Sequence, residues 1–151
     1  MHASLNKTAA SATLHCLLGC SIGEVLGMVI TTAFTLPAAP SVVLSIVGAF
    51  VFGYGLSMLP LRRAGLGWRQ ALALALAADT ASIATMELAD NGFVVAVPGA
   101  INAGLNTWLF WWSLAVSLVL AFCVAFPVNR WLIGRGKGHA VVHAYHHGGH
   151  E

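Results

Sequence analysis

The sequence predicts an all-α, polytopic membrane protein: four transmembrane helices in a bundle. Two observations carry this. Of 151 residues, 58% are hydrophobic and 8% charged, whereas a soluble domain carries about a quarter charged residues. The apolar residues also fall into four runs near the ~20-residue length that spans a bilayer, and mean hydropathy is +0.82. The lipid bilayer is therefore the expected solvent. A net charge of +2, with scattered sites, excludes a nucleic-acid partner. Three cysteines in apolar context do not make the disulfide framework of a secreted domain.

Each element follows from a run and its stop signal. The first run covers residues 11–34 and closes at Pro37 and Pro40. Leu17-Leu18-Gly19-Cys20 resembles a lipoprotein processing box, but apolar sequence continues through Phe34, and cleavage there leaves half a helix. The second run, 41–59, stops at Pro60 and meets Arg62, Arg63 and Arg69. The third is expected over 68–90, because Asp90-Asn91-Gly92 is a turn signal, with 93–101 a short interfacial segment. The fourth, 105–126, opens with an aromatic anchor of Trp108, Trp111 and Trp112 and stops at Pro127. Asn102 and Asn106 precede it, suited either to capping it or to lining a mouth. The organisation expected is an N-terminal segment 1–10, a transmembrane domain 11–127 and a His-rich tail 128–151.

Runs this long and continuous exclude a membrane β-barrel, whose strands are ~10 residues of alternating polarity. The 7 basic residues are Lys7, Arg62, Arg63, Arg69, Arg130, Arg135 and Lys137. Four crossings put all of them on one side, and the connections around Pro37 and Pro98 hold none. The positive-inside rule then predicts both termini in the cytoplasm, in a bacterial inner membrane.

Charged groups inside the spans mark a functional site, since each costs ~2.5–3.5 kcal/mol at the bilayer centre on insertion scales. Of 5 acidic residues, only Glu151 is clearly outside the runs. Glu24 and Asp79 fall near the middles of helices running the same way, so the two are expected to share depth and a single ion. A helical wheel puts His15, Cys16, Gly19, Cys20, Gly23, Glu24 and Gly27 on one half of the first helix. The glycines read as close packing. Cysteine alone is often a small buried hydrophobe, but imidazole, two thiols and a carboxylate on one face form a ladder of metal-capable groups. On the third helix, Asp79, Ile83, Met86, Glu87 and Asp90 share a face, flanked by Thr80 and Asn91. Ser82 and Thr85 read as helix–helix hydrogen-bonders. Five of the 7 histidines (His139, His143, His146, His147 and His150) lie in the tail, a composition that reads as metal capture.

The pattern His15-Cys16-x-x-Gly19-Cys20-x-x-Gly23-Glu24, joined to Ala78-Asp79-Thr80-x-Ser82-Ile83-x-x-Met86-Glu87, resembles a family of small bacterial membrane proteins catalogued as a domain of unknown function. The likeness covers about residues 11–127 and implies a multi-helix membrane domain; it implies no activity. From chemistry, the leading expectation is a transporter or channel, not an enzyme, for a transition-metal cation (Cu, Zn, Ni or Co). Its metal path is His15, Cys16, Cys20, Glu24, Asp79, Met86, Glu87 and Asp90. Mixed sulfur, nitrogen and oxygen donors disfavour Mg and Ca, which prefer oxygen alone. A homo-oligomer with glycines at its contacts is expected, because four helices rarely enclose a pore. The alternatives are a redox protein or enzyme with a fixed metal centre, and a metal-binding accessory or sensor without transport.

Overall fold

A computed structural model describes residues 2–135, with side chains from residue 5 onward. Helix α1 is His2–Phe34, α2 Ala38–Arg63, α3 Trp68–Ala96 and α4 Trp108–Gly134, with a 3₁₀ turn at Ala100–Asn102 before α4. All four are long and apolar enough to cross a membrane. They alternate in direction. Around the bundle α1 packs on α2 and α4, and α3 packs on the same two helices, leaving α1 and α3 to meet more sparsely across the middle.

Every helix is longer than its apolar run. Helix α1 starts at His2, and α2 passes through Pro60 to Arg63. Asp90-Asn91-Gly92 is not a turn: α3 continues to Ala96, and the Asn91 side-chain Nδ2 donates back along the helix to Glu87 O at 2.9 Å. The expected interfacial segment 93–101 is therefore mostly helix, and the chain turns only at Pro98 and Gly99, whose φ is +80°. Helix α4 begins at Trp108, where Thr107 Oγ1 accepts from Phe110 N, so neither Asn102 nor Asn106 is its cap. It then runs through Pro127 to Gly134. Proline removes one backbone bond, a loss that packed transmembrane helices absorb. Apolar composition marks where lipid begins, whereas backbone hydrogen bonding carries the helix past it.

Small residues let the helices approach. A Cβ on Gly19 would lie 2.6 Å from Gly53 Cα, and one on Gly27 2.9 Å from Ser45 Cα. A Cβ on Gly23 would collide with the backbone of Gly48 and Ala49. The three glycines thus pack α1 on α2 within one chain, in place of the contact between copies expected for them. On α4 the buried stripe is Ser113, Ser117, Ala121, Ala125 and Asn129, one residue per turn. Large apolar side chains such as Leu14, Val47, Leu88 and Val119 point outward, as a lipid-facing surface requires.

The two ends of the bundle differ. Arg130 Nε donates to Asn6 Oδ1 at 2.7 Å, joining the start of α1 to the end of α4 at the basic end. The α1–α2 connection and the segment 97–107 form the far end, which carries no Lys or Arg. There Thr35 takes a positive φ of 49°, and Leu36 N returns to Thr31 O at 3.0 Å.

Candidate functional site

The α1–α3 diagonal holds the polar side chains. Asp79 is 0% exposed, Glu87 and Asp90 5% and Glu24 7%. No Lys or Arg occurs between residues 8 and 61 or between 70 and 129, so the middles of the spans contain neither. A carboxylate left charged at such depth costs about 3 kcal/mol on insertion scales, a sizeable share of a domain's whole stability of about 5–15 kcal/mol.

The side chains meet in pairs, stepped along the two helices. Nearest the basic end, Cys16 Sγ donates to Asp79 Oδ1 at 4.0 Å. One turn on along α1 and two along α3, Cys20 lies against Glu87, and Asn91 Nδ2 donates to Glu87 Oε2 at 3.2 Å. A further turn on, Glu24 faces Asp90, with Glu87 nearby. Neither Glu24 oxygen meets an N–H or hydroxyl donor; the group it faces is the Asp90 carboxyl. Met86 is buried in the same cluster as Cys16, Cys20 and Ile83. His15 is half-buried, one position before Cys16.

Glu24 and Asp79 do not share a level. Asp79 sits beside Cys16, two helical turns from Glu24, about 12 Å along α1. The longer N-terminal end of α1 and the longer C-terminal end of α3 slide the two midpoints in opposite directions, which moves Glu24 to Asp90. Among the described residues, no three His, Cys, Asp or Glu side chains come together as a metal-holding group. The expected ladder is therefore a series of pairs. The tail histidines His139, His143, His146, His147 and His150 lie outside the described residues.

The Glu24–Asp90 pair borders a cavity of about 70 Å³, lined also by Met28, Ser41, Ser45 and Asn91. A second cavity of about 380 Å³ at the far end is lined by Thr31, Thr32, Thr35 and Asn102 and shares Met28, Ser41 and Ile101 with the first. The acidic pair thus adjoins an open, hydroxyl-lined vestibule. Asn102 lines this mouth, one of the two roles its position allowed.

The basic end is cross-linked by hydrogen bonds. Asn129 Nδ2 donates to Thr13 Oγ1 and to Ser82 Oγ, each at 2.9 Å, tying α4 to α1 and α3 with all three residues buried. Ser82 is a helix–helix hydrogen-bonder as expected, whereas Thr85 bonds its own helix at Ala81 O. Asn129 was not legible as a bundle residue because Pro127 reads as the end of the last helix. Met28 was legible, since positions 16, 20, 24 and 28 continue one stripe of α1.

Comparison with curated proteins and with solved structures finds no match. Comparison with protein families finds one, over residues 5–138, which takes in every helix and both halves of the paired motif. A match over so much of the chain establishes membership: it belongs to the family described as a domain of unknown function (DUF4396).

Proposed function

We propose that the protein carries a transition-metal cation across the membrane, through the centre of its own bundle along the α1–α3 diagonal. One observation carries the reading: the buried Glu24–Asp90 pair, with no Lys or Arg in the middles of the spans, borders a cavity that shares Met28, Ser41 and Ile101 with the far-end vestibule. Buried carboxylates with no Lys or Arg beside them take up either a proton or a cation from solution, and exchange of one for the other is what a carrier needs. The Cys20–Glu87 and Cys16–Asp79 pairs extend the acidic path toward the basic end. With no nucleotide-binding loop in the sequence, movement is passive or proton-coupled.

The positive-inside rule orients this path. It places the basic end and both termini in the cytoplasm of a bacterium and the vestibule outside its inner membrane. Reporters fused before Lys7 and after Glu151 should both read cytoplasmic; an external C-terminus would overturn the orientation. The tail histidines would then bind ions on the cytoplasmic side. Any association between copies would use surfaces other than the glycine face of α1, which α2 already covers.

The test is metal flux into proteoliposomes of the full chain, with Glu24→Gln and Asp90→Asn beside the parent. Both substitutions keep size, so both proteins should fold, and flux should fall to background. Folded variants that carry metal like the parent would reduce the carboxylates to helix–helix contacts. A metal retained through purification without flux would favour a fixed centre, and reversible binding without flux an accessory or sensor.

A further inference from the structure

Resting on that reading of the α1–α3 diagonal, we infer that the cargo is a soft monovalent cation of the copper group, Cu(I) or its analogue Ag(I), passed along Met28, Cys20, Met86 and Cys16. On α1, Cys16, Cys20, Glu24 and Met28 follow at four-residue steps, each a rise of about 6 Å. Met28 lines both the vestibule and the inner cavity, so a thioether stands where an ion from the far end first narrows its path. Glu24 and Asp90 come next and supply charge. Beyond them Cys20, Met86 and Cys16 pack in one buried cluster, with Glu87 against the first thiol and Asp79 against the second. Sulfur therefore stands on both sides of the acidic pair.

The donor set discriminates among metals. Structural zinc takes four ligands, from thiolate, imidazole and carboxylate. Along this diagonal the donors come in pairs, and the histidine beside it is His15. Thiolate serves zinc as well as Cu(I), whereas the thioether sulfur of Met28 and Met86 is a soft donor that favours Cu(I), and a monovalent ion also asks for less neutralising charge at each step. Ordinary core filling is the competing explanation for methionine and cysteine. It does not account for Met28 at a cavity shared with two carboxylates, nor for a carboxylate beside each buried thiol.

Leucine separates the two explanations, because Met→Leu keeps volume and usually costs under about 1.5 kcal/mol while removing the sulfur. The full chain in proteoliposomes is given Ag(I) as nitrate, which needs no reductant, and Zn(II) in a parallel series. The proteins are the parent, the double variant Met28→Leu/Met86→Leu, and Glu24→Gln. The expected result is Ag(I) uptake by the parent, reduced about tenfold or more in the double variant, the scale on which metal sites lose affinity when a supporting group is removed. Zn(II) uptake without Ag(I) uptake overturns the soft cargo and leaves cation transport standing. Equal Ag(I) uptake by the parent and a folded double variant overturns the sulfur path. If the parent carries neither ion above protein-free vesicles and Glu24→Gln changes nothing, the transport reading falls, and this inference with it.

Discussion

Two faces of one helix, α1, do opposite things. Gly19, Gly23 and Gly27 press its backbone onto α2 so closely that a methyl group would collide. A third of a turn away, Cys16, Cys20 and Glu24 look across the bundle at Asp79, Glu87 and Asp90. The glycine face maximises dispersion contact and leaves no room, which is how helices associate when lipid is as apolar as their side chains. The acidic face keeps a cavity and groups that lipid disfavours. Tight packing on one side therefore holds in place the side that packing alone would not select.

The sharpest break in this comparison is Gly23→Ala. Its Cβ would meet backbone of Gly48 and Ala49, which cannot rotate away as a side chain can. The cost should reach the upper end of the ~1–3 kcal/mol typical of overpacking, read as a large fall in thermal midpoint by tryptophan fluorescence in detergent. Glu24→Gln, one residue on, should do the reverse: flux lost and thermal midpoint kept or raised, because an ionisable group is replaced by a neutral one of the same size in an apolar interior. If Gly23→Ala leaves the midpoint unchanged, the close approach of α1 and α2 is not what holds the bundle.

Intermediate effects belong to the basic end. Asn129→Leu removes the donor shared by Thr13 and Ser82 and should cost about 1–3 kcal/mol. Adding Thr13→Val should then cost less than Thr13→Val does alone, and a double-mutant cycle checks that coupling. The smallest effect carries the opposite sign. A methyl group added at Gly55 on α2 would meet nothing within 4 Å, so Gly55→Ala should stabilise the helix by roughly 0.5–1 kcal/mol. Two Gly→Ala changes of opposite sign would show that position relative to α1, and not helix propensity, decides what a glycine does here.

Four spans and their alternating direction were legible residue by residue, and so was the membership of Cys16, Cys20, Glu24, Asp79, Met86 and Glu87 in one polar region. Helix ends were less so. Pro60, Pro127 and Asp90-Asn91-Gly92 read as stops, yet α2, α4 and α3 pass through them, because neighbouring helices hold the backbone where local preference would break it. Met28 was visible on the α1 stripe, but its importance appears only with the cavity it lines. Asn129 lay beyond an expected helix end, so its link to Thr13 and Ser82 had no sequence signal.

By itself the sequence determined that this chain is helical and how many times it can cross a bilayer. Transfer into lipid is a sum over consecutive residues, so a run of apolar side chains carries its own answer. Only the tertiary structure decided that Glu24 meets Asp90 and that Asp79 meets Cys16. That pairing depends on the rotation and axial offset of α1 against α3, which are set by glycine contacts to a third helix and by helix ends that no apolar run marks. A displacement of two turns leaves the hydropathy of every span unchanged and replaces every partner on the diagonal.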